Sequence, residues 1–385
     1  MTNQFELTED QLAIQDMAAK FTADAITPHA GEWDEKHIFP RDTIKQAAEL
    51  GFGGIYVSEE SGGIGLGRLE AAIIMEAMAY GCPSTSAFIS IHNMASWMID
   101  TFGAQAVKGK YLPDLVPMEK ISSYCLTEAG AGSDAASLKT KAVLDGDHYV
   151  VNGSKQFISG GGANEVMVTM TRTSDDGAKG VTCLVIDRDM EGVSFGANEK
   201  KLGWHSQPTA QVNFDNVRVP VENRVGDEGE GFRIAMAGLD GGRLNIGACS
   251  LGGAQRCLDE AIAYTNDRKQ FGKPVGAFQG VQFNLADMAT ELEAARLMIR
   301  QAAAKLDAKD PEATLYCAMA KRFATDVGFN VCNQALQLHG GYGYLRDFPI
   351  ERFVRDTRVH QILEGTNEIM RVVISRKLQD GQGRS

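Results

Sequence analysis

The spacing of apolar residues changes character twice along the chain. Between residues 1 and 120 it follows a helical period. Thr8 and Gln11 have capping-box spacing, and Ile14, Met17, Phe21 and Ala25 follow at helical intervals until Pro28 stops the run. Further helices are predicted near 41–50, 68–80 and 92–101, separated by glycine-rich joints such as GGIGLG at 62–67. From 121 to 220 the pattern shortens to runs rich in β-branched residues: ISSYCL, HYVVNGSKQFIS, EVMVTMTRT, GVTCLVIDR and TAQVNFDNVRVP. Asp145-Gly146 and Asn152-Gly153 are tight-hairpin dipeptides, and no helical run separates the strands. An antiparallel barrel or sandwich is predicted there. From about 229 helical spacing returns. Val281, Leu285, Met288, Leu292, Ala295 and Ile299 alternate four and three residues apart, as a bundle seam does. Leu315, Met319, Phe323, Val327, Val331 and Ala335 form an i+4 stripe, and core packing is the reading of both. The predicted fold is α+β in three parts: an N-terminal helical domain over 1–120, a middle antiparallel β-barrel-like domain over 121–228 and a C-terminal helical bundle over 229–385.

Composition narrows the function. A chain of 385 residues that is 44% hydrophobic can bury several cores. Its net charge of −12 argues against nucleic acid as a partner. The N-terminal stretch MTNQFELTEDQL has no basic region, and the first arginine is Arg41. No leader is therefore expected, and the location read from the sequence is cytoplasmic. No run approaches the ~18 apolar residues of a membrane span. The seven cysteines form no CxxC pair and the histidines show no HxxxH spacing. Buried reduced thiols are expected, with no metal and no disulfide framework.

Several segments carry candidate chemistry. Residues 361–371, QILEGTNEIMR, put Glu364 beside Gly365 at the mouth of a helix beginning near Thr366. The glycine lets the backbone approach a ligand, and the N–H groups of a helix start point at an electron-rich group. A carboxylate raised by burial above its usual value of about 4.3 can take a proton. Alone, such a glutamate reads more readily as a solvated partner of the helix dipole. Residues 124–134, YCLTEAGAGSD, run a strand into a turn carrying the Thr127 and Ser133 hydroxyls. Gly130, Gly132 and Ala135 match GxGxxA, but a dinucleotide fingerprint opens a long crossover helix. Here a short polar stretch leads into a hairpin, so the segment is a ligand-binding turn or a plain glycine turn. Phe157-Ile-Ser159, followed by three glycines, suits a flat ring, although a core phenylalanine is the better reading of that segment alone. Asp240-Gly-Gly-Arg243 and Arg268-Lys-Gln-Phe-Gly272 place arginines as phosphate or carboxylate recognition needs; arginines on helices are also commonly solvated. Gln337-Leu-His-Gly-Gly-Tyr-Gly343 holds more glycine than a helix cap requires.

Taken in order, these segments resemble the acyl-CoA dehydrogenase family along nearly the whole chain. The family segment YxxTEPGAGSD appears as YCLTEAGAGSD, its arginine–aromatic flavin clamp as RKQFG, its glycine turn as QLHGGYG and its catalytic segment as LEGTNEI. EWDEKHIFP, AFISIHNMASWMID, GLDGGRLNIGACSLG and RDTRVHQILEGTNEIMR resemble the valine-pathway branch of that family. Two positions depart. Ala129 stands where the family usually has proline, which softens the turn, and Phe157 replaces a common tryptophan, which weakens stacking on a flavin.

The resemblance implies an FAD enzyme that oxidises an acyl-CoA to its trans-2-enoyl-CoA. It also implies electron-transferring flavoprotein as the electron partner and a homotetramer. Glu364 matches the base, and Gly242 fills the position where some relatives carry it instead. Tyr124, Leu126, Thr127 and Ser133 are implied along the flavin, with Ser133 also near the CoA arm. Phe157 and Ser159 are implied to flank the isoalloxazine. Arg268, Gln270, Phe271 and Gln279, joined by Gln337, Gly340 and Gly341, are implied to hold the pyrophosphate and adenosine part of an FAD in the neighbouring subunit. Thr366 and Glu368 fall on the side of the base. Asp240, Arg243 and Gly365 are implied for CoA, and Arg376 as a further substrate contact. Leu363 stands where straight-chain relatives commonly have tyrosine, and so leaves room for a methyl group beside the α-carbon. The expected substrate is isobutyryl-CoA, giving methacrylyl-CoA; 2-methylbutyryl-CoA and short straight chains are the alternatives. His92 lies in a segment near the pocket but reads as a packed core histidine. Two other classes fit the same residues: a flavin oxidase of the same fold, and a non-catalytic helical assembly protein that has kept it.

Overall fold

The computed structural model describes residues 6–380. Residues 1–5, which begin the stretch read above for a leader, lie outside the described residues, as do 381–385. Six helices come first: α1 (Glu9–Phe21), α2 (Ala30–Lys36), α3 (Arg41–Glu49), α4 (Arg68–Ala79), α5 (Pro83–Phe102) and α6 (Gln105–Leu115). The Thr8 capping box forms as expected, with Gln11 N–H on Thr8 Oγ1 at 3.2 Å and Thr8 N–H on Gln11 Oε1 at 3.0 Å. Helix α5 starts nine residues before the predicted 92, with Pro83 in its first turn. It is buried on nearly every side, so no polar face marks its length.

Eight strands follow: β1 (Ser122–Cys125), β2 (Lys141–Asp145), β3 (His148–Ser159), β4 (Val166–Arg172), β5 (Val181–Asp187), β6 (Val193–Phe195), β7 (Thr209–Pro220) and β8 (Arg224–Val225). They form a sheet ordered β6-β7-β3-β2-β4-β5-β8, with β1 beside β4. The sheet is mixed, where a purely antiparallel one is predicted. β1 runs parallel to β4, and β2 touches β4 in parallel at Lys141 and Arg172. The connection over 126–140 is long enough to cross over and does not turn back as a hairpin. Asp145-Gly146 does make the β2–β3 turn, with Asp145 paired to His148 and Gly146 at φ 64°. Asn152-Gly153 makes no turn. It sits inside β3, where the register against β7 shifts between Val151 and Gly153. Gly153 has φ 145°, and a Cβ there would lie 2.7 Å from Thr140 Cα. The dipeptide therefore marks a bulge. On β4, Val166, Val168 and Met170 face a core shared with α5 and α6, while Met167 faces a second core on the other side of the sheet.

The bundle consists of α7 (Gly231–Asp267), α8 (Gln279–Asp307), α9 (Ala313–His339), α10 (Ile350–Arg358) and α11 (Asn367–Asp380). A short hairpin of β9 (Lys269–Gln270) and β10 (Lys273–Pro274) links α7 to α8. The α8 seam is buried at Met288, Leu292, Ala295 and Ile299. On α9 the stripe is buried at Leu315, Val327, Val331 and Ala335, but Met319 and Phe323 are only half-buried. A second face of small residues, Cys317, Ala320, Ala324 and Gly328, is buried beside it and includes Lys321.

Helix α7 is the spine, and its glycines set how closely neighbours approach. A Cβ at Gly252 would lie 2.1 Å from the Glu76 carbonyl oxygen on α4, and one at Gly328 would lie 2.8 Å from Ser250 Cβ on α7. His92 packs in the core as expected. The Ser122 N–H donates to its Nδ1 at 3.0 Å, so Nε2 carries the proton and meets the Leu115 carbonyl at 2.9 Å. Burial holds its pKa down to about 4, so the ring is neutral. All seven cysteines are buried and in no disulfide. No helix among the described residues is long and apolar enough to cross a membrane.

Candidate active site

Between α10 and α11 the chain reverses through two consecutive left-handed residues, Glu364 at φ 56° and Gly365 at φ 83°. Glycine adopts that conformation freely. A glutamate does so at a cost of about 1–2 kcal/mol, which the surroundings have to offset. Thr366 then caps α11, its Oγ1 accepting the Ile369 N–H at 3.2 Å. Three bonds from neighbouring helices hold the turn. Lys321 Nζ donates to the Gly365 carbonyl at 2.8 Å and to Asn367 Oδ1 at 2.9 Å, and Arg243 Nε reaches the Glu364 carbonyl at 3.4 Å.

The turn drives the Glu364 carboxyl onto α7. A Cβ at Gly242 would meet Glu364 Oε2 at 2.5 Å and Cδ at 2.9 Å, so the side chain occupies the space a larger residue would fill. The residue as a whole is half-buried, but Oε2 is shut off from solvent and has no hydrogen-bond partner. Burial pushes the pKa up to about 7, against the pull of Arg243 and Lys321. Such a group accepts a proton at neutral pH, provided a donor comes within reach.

The DGGR segment divides its work residue by residue. Asp240 and Arg243 pair with each other, Oδ1 to Nη1 at 2.6 Å, and Thr314 Oγ1 donates to Asp240 Oδ2 at 2.7 Å. Gly241 makes room for Arg68, since a Cβ there would lie 2.2 Å from Nη1. The Arg68 guanidinium is stacked between Tyr56, 3.7 Å from the ring centroid, and Trp97, at 4.5 Å. Tyr56 in turn accepts from Asn245 Nδ2 at 3.3 Å. None of Tyr56, Arg68, Trp97 and Lys321 is singled out by the sequence. Arg68 and Lys321 are buried charges within helical runs, and nothing in such a run announces that its charge points inward.

On the sheet side, Tyr124 has a buried hydroxyl without a partner, and burial and the Glu364 carboxylate raise its pKa. Leu126 is buried and Thr127 half-buried, while Ser133 is exposed. The turn after β1 is folded by a buried ion pair that the sequence did not reveal. Lys155 Nζ meets Glu128 Oε1 at 2.8 Å and the Leu126 carbonyl at 3.0 Å, and the Glu128 carboxylate also accepts the N–H groups of Lys139 and Thr140. Phe157 follows at φ 60°, beside the second register shift of β3, and is 63% exposed. It is not a core residue, because the irregularity turns it outward. The Ser159 carbonyl accepts from Ser123 Oγ at 2.6 Å, which keeps this segment beside β1.

The remaining residues lie elsewhere. Arg268, Gln270, Phe271 and Gln279 are exposed at the far end of α7 and the start of α8. Arg268 sits over the Tyr342 ring at 5.7 Å, so this loop meets the glycine turn holding Gly340 and Gly341, with Gln337 exposed just before it. From Gly242 to that end, α7 rises about 37 Å. One protomer therefore holds two separate clusters, one around Glu364 and one around Arg268. Leu363, half-buried, Gly365 and Thr366 belong to the first. Glu368 is exposed 3.8 Å from Arg371, and Arg376 is exposed farther along α11.

Both clusters have features that suit a flavin dinucleotide. A Cβ at Gly130, Gly132, Gly340 or Gly341 would meet nothing within 4 Å. Packing within the chain therefore does not demand those glycines, although Gly340, at φ 59°, is favoured by its own backbone, and a backbone free of side chains suits a pyrophosphate. Phe271, 93% exposed, and Phe157 offer uncovered rings, and the Tyr124 hydroxyl is an orphaned donor.

Comparison with known proteins agrees across the whole chain. The patterns for the N-terminal, middle and C-terminal domains of acyl-CoA dehydrogenase match residues 8–119, 123–217 and 229–379. Isobutyryl-CoA dehydrogenase, mitochondrial, of Dictyostelium discoideum is 58% identical over 97% of this chain and 90% of its own length. Butyryl-CoA dehydrogenase from Megasphaera elsdenii is 37% identical with a TM-score of 0.95, covering 98% of this chain and 100% of that one. A chain in the structure of the electron transferring flavoprotein of Acidaminococcus fermentans is 41% identical with a TM-score of 0.95, covering 98% and 99%.

A raised pKa on Glu364 links its protonation to stability. The folded state favours the protonated form, so the contribution is full below about 4.5 and is lost as the pH rises through about 7. Glu364→Gln is neutral throughout. It should melt nearly with the parent at pH 4 but be more stable at pH 8, by on the order of 3 kcal/mol. Thermal melts at the two pH values test this, and equal parent–variant differences at both would contradict the burial account.

Proposed function

The chain belongs to the acyl-CoA dehydrogenase family, and we propose that it oxidises isobutyryl-CoA to methacrylyl-CoA with FAD and passes the electrons to an electron-transferring flavoprotein. The observation that carries this is the Glu364 carboxyl: held on a strained turn, buried against Gly242, and raised to about 7. In the proposed reaction Glu364 takes the α-proton and the α–β single bond becomes a double bond. FAD held by the residues named below would supply the acceptor for the β-hydrogen and its electron pair. The thioester α-proton is too weak an acid for an unaided carboxylate, so its carbonyl has to be polarised. The Glu364 N–H is available for this, since no backbone acceptor among the described residues takes it. Asp240, Arg243 and Gly365 would line the CoA side, with Arg376 farther along α11.

FAD binding is assigned to Tyr124, Leu126, Thr127, Ser133, Phe157 and Ser159 near the base, with Thr366 and Glu368 beside them. Arg268, Gln270, Phe271, Gln279, Gln337, Gly340 and Gly341 would hold the cofactor of a neighbouring subunit. The separation of about 37 Å between the two clusters supports a shared site and hence an oligomer, a homotetramer in this proposal. The divisions at 120/121 and 228/229 and a cytoplasmic location belong to the same reading. The relative from Acidaminococcus fermentans favours the flavoprotein acceptor over oxygen.

Stopped-flow flavin reduction under an acyl-CoA panel tests the reaction. Glu364→Gln should keep the flavin spectrum and lose reduction by roughly three orders of magnitude or more. Near-parental reduction by that variant would remove Glu364 from the role. The branched substrate rests on Leu363, which is smaller than tyrosine and half-buried on the helical core. Leu363→Tyr should lower kcat/KM for isobutyryl-CoA about tenfold more than for butyryl-CoA, in line with one methyl group in an apolar pocket. A parent that prefers butyryl-CoA tenfold would overturn the branched assignment.

A further inference from the structure

We propose that Lys321 is a positioning residue for Glu364, fixing the left-handed turn from α9 and supplying the buried positive charge that the carboxylate faces. The inference rests on the reading of Glu364 as the base.

The grip is geometric first. Lys321 is completely buried, and its Nζ donates to the carbonyl of Gly365, the residue after the base. It also donates to Asn367 Oδ1, and Asn367 Nδ2 donates to Asp326 Oδ1 at 2.7 Å. Gln361 Nε2 donates to the same Asp326 oxygen at 2.8 Å. One helix therefore holds the base-bearing segment before, within and after its turn. Both left-handed residues lie between these anchors.

The charge needs a separate account. A buried ammonium bonded only to neutral oxygens is costly, and a neutral donor would serve as a mechanical clasp. The other charges nearby already have partners. Arg243 on α7 is paired to Asp240 at 2.6 Å. Asp326 on α9 faces Arg322 at 3.6 Å and Arg371 of α11 at 3.7 Å. Glu368 is exposed on α11 near Arg371. No carboxylate among the described residues lies in salt-bridge range of Lys321 Nζ. Glu364 is the carboxylate that most favours the Lys321 ammonium, acting across the turn without direct contact, and Arg243 is the other cation acting on Glu364. The directions agree: burial lowers Lys321 to about 8 and Glu364 is the largest influence raising it, while Arg243 and, after it, Lys321 are the charges that lower Glu364. Tyr56 and Tyr124 also face the carboxylate, as neutral groups. Without Lys321, a larger share of Glu364 would be protonated at neutral pH.

Infrared titration of the carboxyl band that disappears in Glu364→Gln tests this without relying on turnover. If the parent shows no such band titrating near neutral pH, the base reading itself fails. With the band identified, Lys321→Gln keeps a donor for Gly365 and removes the charge. Its midpoint should rise by about one pH unit or more, and the acid limb of kcat/KM for isobutyryl-CoA should move with it. Lys321→Met loses donor and charge, and should also lower kcat roughly tenfold or more with little change in KM. Lys321→Arg should leave the midpoint near the parent's. If the Met variant fails to fold, the Gln and Arg variants still decide. Midpoints and pH profiles unchanged in Lys321→Gln would overturn the proposal and leave Lys321 a structural post.

Discussion

The candidate site depends on one contact, the Glu364 carboxyl laid against the backbone of α7 at Gly242. A carboxylate packed there has no room for water around Oε2 and no donor to replace it. That raises its affinity for a proton far more than any nearby charge lowers it. The contact sets requirements on both sides. On the loop side two left-handed residues have to reverse the chain, which calls for Gly365 and for bonds strong enough to hold Glu364 in a strained conformation. On the helix side position 242 has to be glycine. Its neighbour Gly241 is demanded by a different guest, the stacked Arg68 guanidinium. Consecutive glycines inside a helix weaken it by roughly 1 kcal/mol each relative to alanine, and α7 tolerates them because it is buried among α4, α5, α8 and α9.

Helix α7 also explains the division of the site. Its length separates Glu364 from the Arg268 loop by more than a small ligand can span. Open glycines and an exposed aromatic ring occur at each end, and the end near Glu364 adds an orphaned tyrosine hydroxyl and a buried carboxyl. Within one protomer they do not meet. The shared site proposed above rests on that separation.

The sequence discloses what is periodic and what is punctuated. The α8 seam is visible because one face is apolar and the other polar. The β region is visible because short β-branched runs alternate with turn residues. Glu364 and its glycine stand out because a helix start, a glycine and a carboxylate coincide. The misses have physical causes. Helix α5 is buried all round, so its first nine residues carry no stripe. Asn152-Gly153 has hairpin chemistry, but the same left-handed freedom serves a bulge. Phe157 suggests a core ring until the register shift turns it outward. Lys321 is hidden because the face it shares is made of alanine, cysteine and glycine, and its value lies in a carbonyl 44 residues away. Lys155 and Glu128 are hidden for the same reason: a buried ion pair is a long-range fact.

Space at position 242 is what places the Glu364 carboxyl. Gly242→Ala tests this most directly, because alanine strengthens the helix itself and the three nearest atoms its Cβ would meet all belong to the Glu364 carboxyl. The measurement is the rate of flavin reduction by isobutyryl-CoA in the folded, flavin-loaded variant. The expected result is a fall of roughly a hundredfold or more, as for a reacting group displaced by about 1 Å. A parental rate would contradict it.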